Sequence, residues 1–198
     1  MTPSGPEPAP PGRTRRADAA RNAALLLAAA RELVAESGPE VALDEVARRA
    51  GVGNATLYRH FPTRADLLVA VYADEVAELC HQGADLPTGL SPADALFSWL
   101  DAFVVHVATK RPLALAATEG ATGRRSALFD QWHASIRATA SGLLRRAQDA
   151  GAVRPGLTVT DLLALAGGAA LTATDVAHAR RLTALLRGGL ETGLETGD

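Results

Sequence analysis

Apolar residues recur at three- and four-residue spacing along most of the chain, which is the pattern of helices that bury one face. In the first such stretch, Leu26, Ala30, Leu33 and Val34 line one side of a helix predicted over residues 18–37. No run of alternating β-branched residues indicates a strand, and no segment repeats. The hydrophobic pattern therefore predicts an all-α protein.

Two short helices follow, separated by a turn that contains two glycines. The apolar spacing predicts a second helix over residues 43–50, which Gly51 ends, and a third helix over residues 54–61. The turn between them is Ala50-Gly51-Val52-Gly53. Two short helices joined in this way form a helix-turn-helix, in which the second helix enters the major groove of DNA. The motif spans about residues 43–61.

The starts of three later helices carry the capping-box pattern, a hydroxyl residue followed three positions later by an aspartate. The pairs are Thr63 with Asp66, Ser91 with Asp94, and Thr158 with Asp161. Helices are predicted over about residues 63–81, 91–110, 126–150, 158–172 and 175–190. The second of these is expected to end before Pro112, because proline removes a backbone donor and clashes with the preceding turn.

Charge changes this picture at the N-terminal end. The chain is 47% hydrophobic and 21% charged with a net charge of −2, which indicates a globular protein but no overall affinity for nucleic acid. Residues 13–64, however, hold nine arginines against six acids, so a basic surface is expected to be local. Arg13, Arg15 and Arg16 either reach DNA as a basic arm or belong to a solvated tail.

The sequence predicts neither a membrane segment nor disulfide chemistry. The apolar run over residues 162–173 is shorter than the roughly 20 residues needed to span a bilayer. Arginines followed by the apolar residues 23–30 imitate a secretory signal, but an amphipathic helix explains them better. Cys80 is the single cysteine, which fits a reducing compartment, and we expect a cytoplasmic protein.

The third helix has a definable outward face. At about 100° per residue, Leu57 and Phe61 lie within ~40° of each other and are expected to face the core. Ala55 and Arg59 then lie opposite them. The other polar residues near that outward face are Asn54, Thr56, Tyr58 and, at its boundary, His60.

These outward groups suit the chemistry of DNA. Ala55 and the methyl group of Thr56 fit a thymine methyl, Arg59 pairs with guanine or phosphate, and Asn54 reads adenine. The Tyr58 hydroxyl suits a phosphate, with a packing role as the alternative, and His60 lies within reach of the backbone. We therefore predict DNA contacts along this whole face.

Residues 46–68 carry the most specific signal in the chain, VARRAGVGNATLYRHFPTRADLL. This stretch resembles the DNA-binding signature of TetR-type regulators, and the likeness covers about residues 18–72. The resemblance implies a dimeric regulator whose C-terminal helical domain dimerises and often binds a small effector. It also implies DNA contacts by Thr56, Tyr58 and His60, and a phosphate contact by Arg64.

The chain departs from that pattern at three positions. Gly53 stands where serine usually caps the recognition helix, and Ala42 stands where threonine usually caps the second helix. Ala55 replaces a frequent glycine and adds a methyl group in the groove. Glycine is an acceptable N-cap, whereas after Ala42 the acids Asp44 and Glu45 are expected to help only through the helix dipole.

These observations divide the chain into three regions. Residues 1–12 hold five prolines and two glycines, so residues 1–16 are predicted to be a disordered N-terminal arm. Residues 17–64 form the predicted helix-turn-helix DNA-binding domain. Residues 65–198 form the predicted helical effector-binding and dimerisation domain.

Aromatic residues mark a candidate effector pocket in the second domain. Those at helical spacing are Trp99, Phe103, His106, Phe129 and Trp132. Such stripes also form ordinary cores, and both interpretations stay open. His106 and His133 lack the spacing of a metal motif, so neither a metal site nor a cofactor is predicted. Glu119 is a weaker candidate for meeting a cationic ligand, and its alternative is a solvated loop charge.

Small and leucine residues mark a candidate dimer seam. Residues 164–170 include Gly167-Gly168 and present a smooth surface that lets another helix approach closely. The last helix adds Leu182, Leu185, Leu186 and Leu190. Together they fit half of a four-helix homodimer seam, with packing inside one chain as the alternative.

Three functions compete on this evidence. The leading hypothesis is a repressor that binds double-stranded operator DNA as a homodimer and is released by a small-molecule effector. The alternative is a constitutive or architectural DNA-binding dimer without an effector. An enzyme is not expected, because no set of nucleophile, base and orienting residue is visible in the sequence.

Overall fold

The computed structural model describes residues 11–85, 89–118 and 124–191. Across these ranges the chain forms eight helices, with one isolated backbone bridge between Val153 and Glu191. The helices are α1 (Pro11–Ser37), α2 (Leu43–Ala50), α3 (Asn54–His60), α4 (Arg64–Ala84), α5 (Pro92–Thr118), α6 (Arg124–Asp149), α7 (Val159–Thr172) and α8 (Val176–Leu190). The all-α prediction is confirmed. Within the same ranges, no helix is both long and apolar enough to cross a membrane.

The first helix begins earlier than predicted. α1 starts at Pro11, whereas the sequence placed the start at residue 18 and treated residues 1–16 as disordered. Residues 11–16 are helical, so that part of the prediction is wrong. Proline at a first helical position needs no hydrogen-bond donor, which is why it begins this helix without cost. Residues 1–10 lie outside the described residues.

The fifth helix continues through the proline that was expected to end it. Pro112 lies inside α5, which runs on to Thr118. A proline in a helix interior costs about 3 kcal/mol. Leu113 and Ala117, which follow it, are almost completely buried, and their packing offsets that cost. Local propensity predicted a stop at this position, and tertiary burial overrode it.

The capping signals are confirmed where the structure describes them. Thr63 and Asp66 exchange side-chain to backbone hydrogen bonds at the start of α4, and Thr158 and Asp161 do the same at α7. The Ser91 hydroxyl accepts from the backbone N–H of Asp94 at α5. Each pair satisfies N–H groups that a helix start would leave without partners.

The chain divides into two compact units, residues 1–71 and residues 72–198. The sequence placed the boundary between residues 64 and 65, so the division lies seven residues later, inside α4. In the first unit, Leu26, Val46, Leu57 and Leu67 form a core to which α1, α2, α3 and α4 each contribute.

In the second unit, α5 packs against α6, α7 and α8. Its buried face includes Leu96, Trp99, Leu100 and Val104. Because α5 contacts each of the three helices that follow it, α5 is the central helix of this unit.

Candidate functional site

The helix-turn-helix closes without side-chain caps on its two helices. The N-caps of α2 and α3 are Ala42 and Gly53, and neither accepts a hydrogen bond through its side chain. Gly51 ends α2 in the left-handed region, at φ 65°, where a residue with a Cβ is strained. Gly51 therefore sets the turn that leads into α3.

The rotation of α3 agrees with the prediction. Leu57 is completely buried and Phe61 is 8% exposed. On the outward side Asn54, Ala55, Tyr58 and Arg59 are exposed, and Thr56 and His60 are half-buried. Tyr58 is 47% exposed, so core packing does not explain this residue.

A carboxylate from the neighbouring helix holds two of the outward groups. Asp44 Oδ1 accepts a hydrogen bond from Asn54 Nδ2 at 3.1 Å and lies 3.5 Å from the Tyr58 hydroxyl, which donates to it. The sequence assigned Asp44 only a helix-dipole role. Its contact across the turn was not predictable from spacing along either helix, because it depends on how α2 crosses α3.

Three arginines of this unit, Arg48, Arg49 and Arg64, form ion pairs with acids. Arg64, predicted to bind phosphate, forms an ion pair with Glu40. Arg48 pairs with Glu45 at 2.6 Å. These pairs are exposed, so each is worth little in water, and the Arg64 pair can be exchanged for the phosphate predicted there. Hydrogen bonding from Arg48 lowers the pKa of the Glu45 carboxyl and keeps it charged.

His60 occupies a mixed environment. Its Nε2 atom is buried and has no hydrogen-bond partner among the described residues. The ring lies 6.2 Å from that of Phe61, centroid to centroid. Because Nε2 points away from solvent, contact between this nitrogen and a DNA phosphate requires the ring to rotate.

The candidate effector residues fall into three groups in the structure. Trp99 stacks on Phe103 with ring centroids 5.7 Å apart, and its indole N–H donates to the backbone oxygen of Leu79 at 2.9 Å. Phe129 lies beside His133, at 4.1 Å between centroids, near the surface. His106 and Trp132 form the third group.

Tyr72 of α4 joins His106 of α5 to Trp132 of α6. Its ring lies 5.7 Å from that of His106 and 4.8 Å, edge to face, from that of Trp132. Burial raises the pKa of the Tyr72 hydroxyl. Sequence reasoning missed this residue, although Leu68, Tyr72 and Val76 follow the four-residue spacing of a buried face. We call Tyr72, His106 and Trp132 the aromatic cluster.

Among the described residues of the second unit, His106 has the largest pKa shift. It is 8% exposed, and its Nε2 atom is buried with no hydrogen-bond partner in the described part of the chain. Burial lowers its pKa to about 4, with Glu75 opposing the shift and Lys110 adding to it. The ring is therefore neutral near pH 7 and offers a hydrogen bond without a charge.

This pKa predicts a pH dependence of stability. An unfolded histidine takes up a proton below pH ~6.5, whereas folded His106 resists it down to about 4. Stability from the neutral ring is thus complete above pH ~6.5 and falls as the pH drops towards 4, by about 3 kcal/mol in total. The measurement is denaturant unfolding at several pH values for wild type and His106→Leu, whose difference should follow this curve.

His133→Gln provides the matched control, because His133 is an exposed histidine of the same unit, and its ring lies beside Phe129 and outside the aromatic cluster. It should keep the wild-type pH dependence. A His106→Leu protein that loses stability between pH 6.5 and 4 as steeply as wild type contradicts the assignment to His106.

Two adjoining cavities open along α4 and α5. One, of about 460 Å³, is lined by Glu78, His81, Gln82, Asp85, Ser98, Trp99 and Ala102. The other, of about 290 Å³, shares several of these residues and reaches His106. Neither cavity is lined by Phe103, Phe129 or Trp132. Trp99 and His106 therefore border open space, whereas Trp132 packs inside the aromatic cluster.

The candidate seam has two different faces. Leu162, Ala166 and Ala170 of α7 are buried within the chain, as the packing alternative expected. On the outer side Leu165 and Leu185 are exposed, the second of them to 74%. A shallow apolar depression of about 450 Å³ lies between α7 and α8, and we call this outer side the α7–α8 face.

Charged residues elsewhere give no sign of a metal centre. Among residues 11–85, 89–118 and 124–191, no group of three or more His, Cys, Asp or Glu side chains is placed to hold a metal ion. Glu119, the weaker candidate for a cationic ligand, lies outside the described residues.

Comparison with known proteins covers both units. Residues 26–71 match the family of "Bacterial regulatory proteins, tetR family", and residues 91–192 match "Transcriptional regulator SbtR-like, C-terminal domain". A TetR transcription regulatory protein from Mycobacterium vanbaalenii is 35% identical, with a TM-score of 0.71 over 90% of this chain and 99% of its own. No curated protein matches at a significant level.

Two further solved structures are similar. The TetR transcriptional regulator SCO0520 from Streptomyces coelicolor is 34% identical, with a TM-score of 0.71 over 85% of this chain and 98% of its own. FadR from Bacillus subtilis, solved in complex with stearoyl-CoA, is 17% identical, with a TM-score of 0.60 over 84% of this chain and 98% of its own. The last of these shows likeness of fold alone.

Proposed function

Because the chain belongs to the tetR family of bacterial regulatory proteins, and is therefore a DNA-binding transcription regulator, we propose that it is a repressor that a small-molecule effector releases from its operator. The protein binds the operator as a homodimer. The observation that carries this proposal is the outward face of α3, on which Asn54, Tyr58 and Arg59 are exposed while Leu57 on the opposite side is buried. We place the protein in the cytoplasm, where its DNA is, and propose no catalytic activity.

DNA contacts divide between bases and backbone in this proposal. Asn54, Ala55, Thr56 and Arg59 read base edges in the major groove. Tyr58, His60 and Arg64 contact phosphates and set the register of the helix on the duplex. Selection of random duplexes with the purified protein tests the proposal. Recovery of a two-fold symmetric sequence supports binding of the operator by a homodimer. Recovery of no preferred sequence contradicts the proposal.

The α7–α8 face supports the homodimer. Exposed leucines concentrated on one face of two adjacent helices are costly in water, and a second copy of the chain buries them. Gly167 and Gly168 have no atom within 4 Å of the position where a Cβ would stand. They therefore leave room for a partner helix to approach.

Leu185→Glu is expected to raise the dimer dissociation constant by about thirtyfold or more, because it places a charge in the centre of an apolar interface at a cost of about 2 kcal/mol. Sedimentation measures the effect. Ala170→Glu, which the sequence suggested, is a poor test because Ala170 is 5% exposed within one chain and its replacement damages the fold.

The same substitution at Leu115 is the matched control, because that leucine is 59% exposed on α5 and does not line the depression of the α7–α8 face. Leu115→Glu should leave the dimer intact. A Leu185→Glu protein that keeps both the wild-type mass and its DNA affinity moves the interface to another surface.

Effector release is proposed to act through α4. This helix carries Arg64 in its first turn and Tyr72 about 12 Å further along its axis. An effector that hydrogen-bonds His106 and separates the rings of the aromatic cluster displaces this part of α4. Two recognition helices must lie about 34 Å apart to meet successive major grooves, so a small rotation of α4 removes most of the specific affinity.

FadR, with the same fold, was solved with stearoyl-CoA, so the fold itself can accommodate a small molecule. A library of small molecules screened by thermal shift, with tryptophan fluorescence as the second readout, tests for an effector here. A compound that raises the melting temperature, perturbs the fluorescence and weakens operator binding supports the proposal. Unchanged affinity of that compound for both Trp99→Leu and Trp132→Leu proteins moves the pocket elsewhere.

The close packing of the aromatic cluster favours a second candidate function. With Tyr72 and Trp132 at 4.8 Å, no open space separates these rings, and a dimer that binds DNA without an effector needs none. The thermal-shift screen distinguishes the two functions. If no compound raises the melting temperature and none weakens operator binding, the result supports the constitutive dimer.

A further inference from the structure

The side chain of Asp44, in α2, lies against the outward face of α3. In the described part of the chain it is the acid that accepts hydrogen bonds from side chains of that helix. Its Oδ1 atom accepts from the Asn54 side-chain amide at 3.1 Å and, at the longer distance of 3.5 Å, from the Tyr58 hydroxyl. Asn54 and Tyr58 are four residues apart, so they lie one above the other on the helix. One oxygen of α2 thus ties together two groups of α3.

The contact fixes the orientation of the Asn54 amide. An ionised carboxylate only accepts hydrogen bonds, so the NH₂ group of Asn54 must turn towards Asp44. One N–H and the carbonyl oxygen of the amide then remain available. A bidentate pair with adenine needs this donor and this acceptor. Asp44 therefore presents Asn54 ready to read adenine without a rearrangement on binding.

The same contact has the opposite effect on Tyr58. The phenol has one hydrogen to donate, and it points to Asp44. To donate to a DNA phosphate, Tyr58 must leave Asp44, and the carboxylate then stays near a second negative charge. This opposes phosphate binding on every sequence alike. It leaves the adenine contact of Asn54 in place.

We propose that Asp44 is a specificity-determining residue of the DNA interface, which orients Asn54 for base reading and weakens attachment to phosphates on DNA of any sequence. The inference rests on the proposed DNA contacts of α3. A dipole role alone does not require these contacts, since Glu45 lies in the same first turn and pairs with Arg48 instead. Asp44 is thus distinguished from its neighbour by what it touches.

The test compares Asp44→Ala, Asp44→Asn and Glu45→Gln with wild type, using the selected operator and a scrambled duplex of equal length at two salt concentrations. Asp44→Ala should bind the scrambled duplex about two- to fivefold more tightly at low salt, the range of one exposed charge interaction. Its ratio of operator to scrambled affinity should fall at least about fivefold, the lower end of one base contact.

The two other variants separate charge from orientation. Asp44→Asn removes the charge but keeps an acceptor oxygen, so affinity for the scrambled duplex should rise while the preference for adenine is partly kept. Glu45→Gln removes one charge from the same turn without touching α3, and both affinities should stay near wild type. Asp44→Asn also tests the inference if Asp44→Ala proves unstable, because the amide preserves the shape of the side chain.

The hydrogen bond can be measured without DNA. The side-chain amide resonances of Asn54 should move in Asp44→Ala and stay in place in Glu45→Gln. Equal effects of Asp44→Ala and Glu45→Gln on DNA affinity, or an unchanged affinity ratio in Asp44→Ala, overturn the inference while the proposed function stands. A wild-type protein that selects no DNA contradicts the proposed function and removes the inference with it.

Discussion

Gly83→Ala is expected to destabilise the second unit by about 1–3 kcal/mol, although alanine normally favours a helix. Gly83 is buried in α4, and a Cβ there would stand 2.4 Å from Thr139 Cγ2 and 3.0 Å from Trp99 Cδ1. Trp99 cannot yield, because it is 1% exposed and its indole N–H is bonded to the Leu79 backbone oxygen. The close approach of α4, α5 and α6 therefore depends on this glycine.

Denaturant unfolding measures the effect, and Gly142→Ala is the matched control. Gly142 lies inside α6 with nothing within 4 Å of its Cβ position, so alanine there should stabilise by up to about 1 kcal/mol. Opposite signs at the two positions are the expected result. Thr139→Ser removes Cγ2 and should restore part of the stability of Gly83→Ala. A stabilised Gly83→Ala protein contradicts the packing described here.

Separate effects on affinity and on base preference are expected from substitutions at the proposed phosphate contacts, Arg64 and Tyr58, and at the proposed base contacts of α3. Arg64→Ala should weaken binding to every duplex and reduce the salt dependence by about one unit of slope, because one phosphate contact is lost. Tyr58→Phe should also weaken binding to all sequences alike. The neutral hydroxyl releases no counterion, so the salt slope should change little.

Arg59→Ala and Asn54→Ala are expected to change which operators are preferred. Each lost base contact should remove about 1–3 kcal/mol of discrimination, which is roughly 5- to 150-fold in the affinity ratio. Titration of each variant against the operator and its single-base variants at two salt concentrations separates the two classes. Ala23→Ser, on a half-buried position of α1, is the control for indirect effects.

The reverse result would be informative. If Tyr58→Phe changes the base preference while the Asn54 and Arg59 variants lose affinity uniformly, α3 meets DNA through a different side. The burial of Leu57 would still hold, since it is a property of the free protein. The docking of the helix in the groove would then have to be revised.

The sequence alone determined the fold class, the helix-turn-helix and the rotation of α3. Each depends on local information. Residues four apart, such as Leu57 and Phe61, lie on the same side of any helix. Gly51 adopts the left-handed conformation that commonly ends a helix. The pairs Thr63–Asp66 and Thr158–Asp161 cap the first turns of their own helices. Interactions within four residues of each other are set by helix geometry, which is the same in every protein.

Tertiary structure decided what depends on residues far apart in the chain. α5 continues beyond Pro112 because Leu113 and Ala117 are buried in the folded chain. Helix propensity, which depends on the local sequence, does not include that burial. Tyr72 contacts His106 and Trp132, which lie on two other helices. Asp44 of α2 binds Asn54 of α3 across the turn, and the side chain of Ala170 is buried within the chain. The crossing of two helices depends on how all their side chains pack together, and periodicity along one helix gives its apolar side but not the partner that covers it.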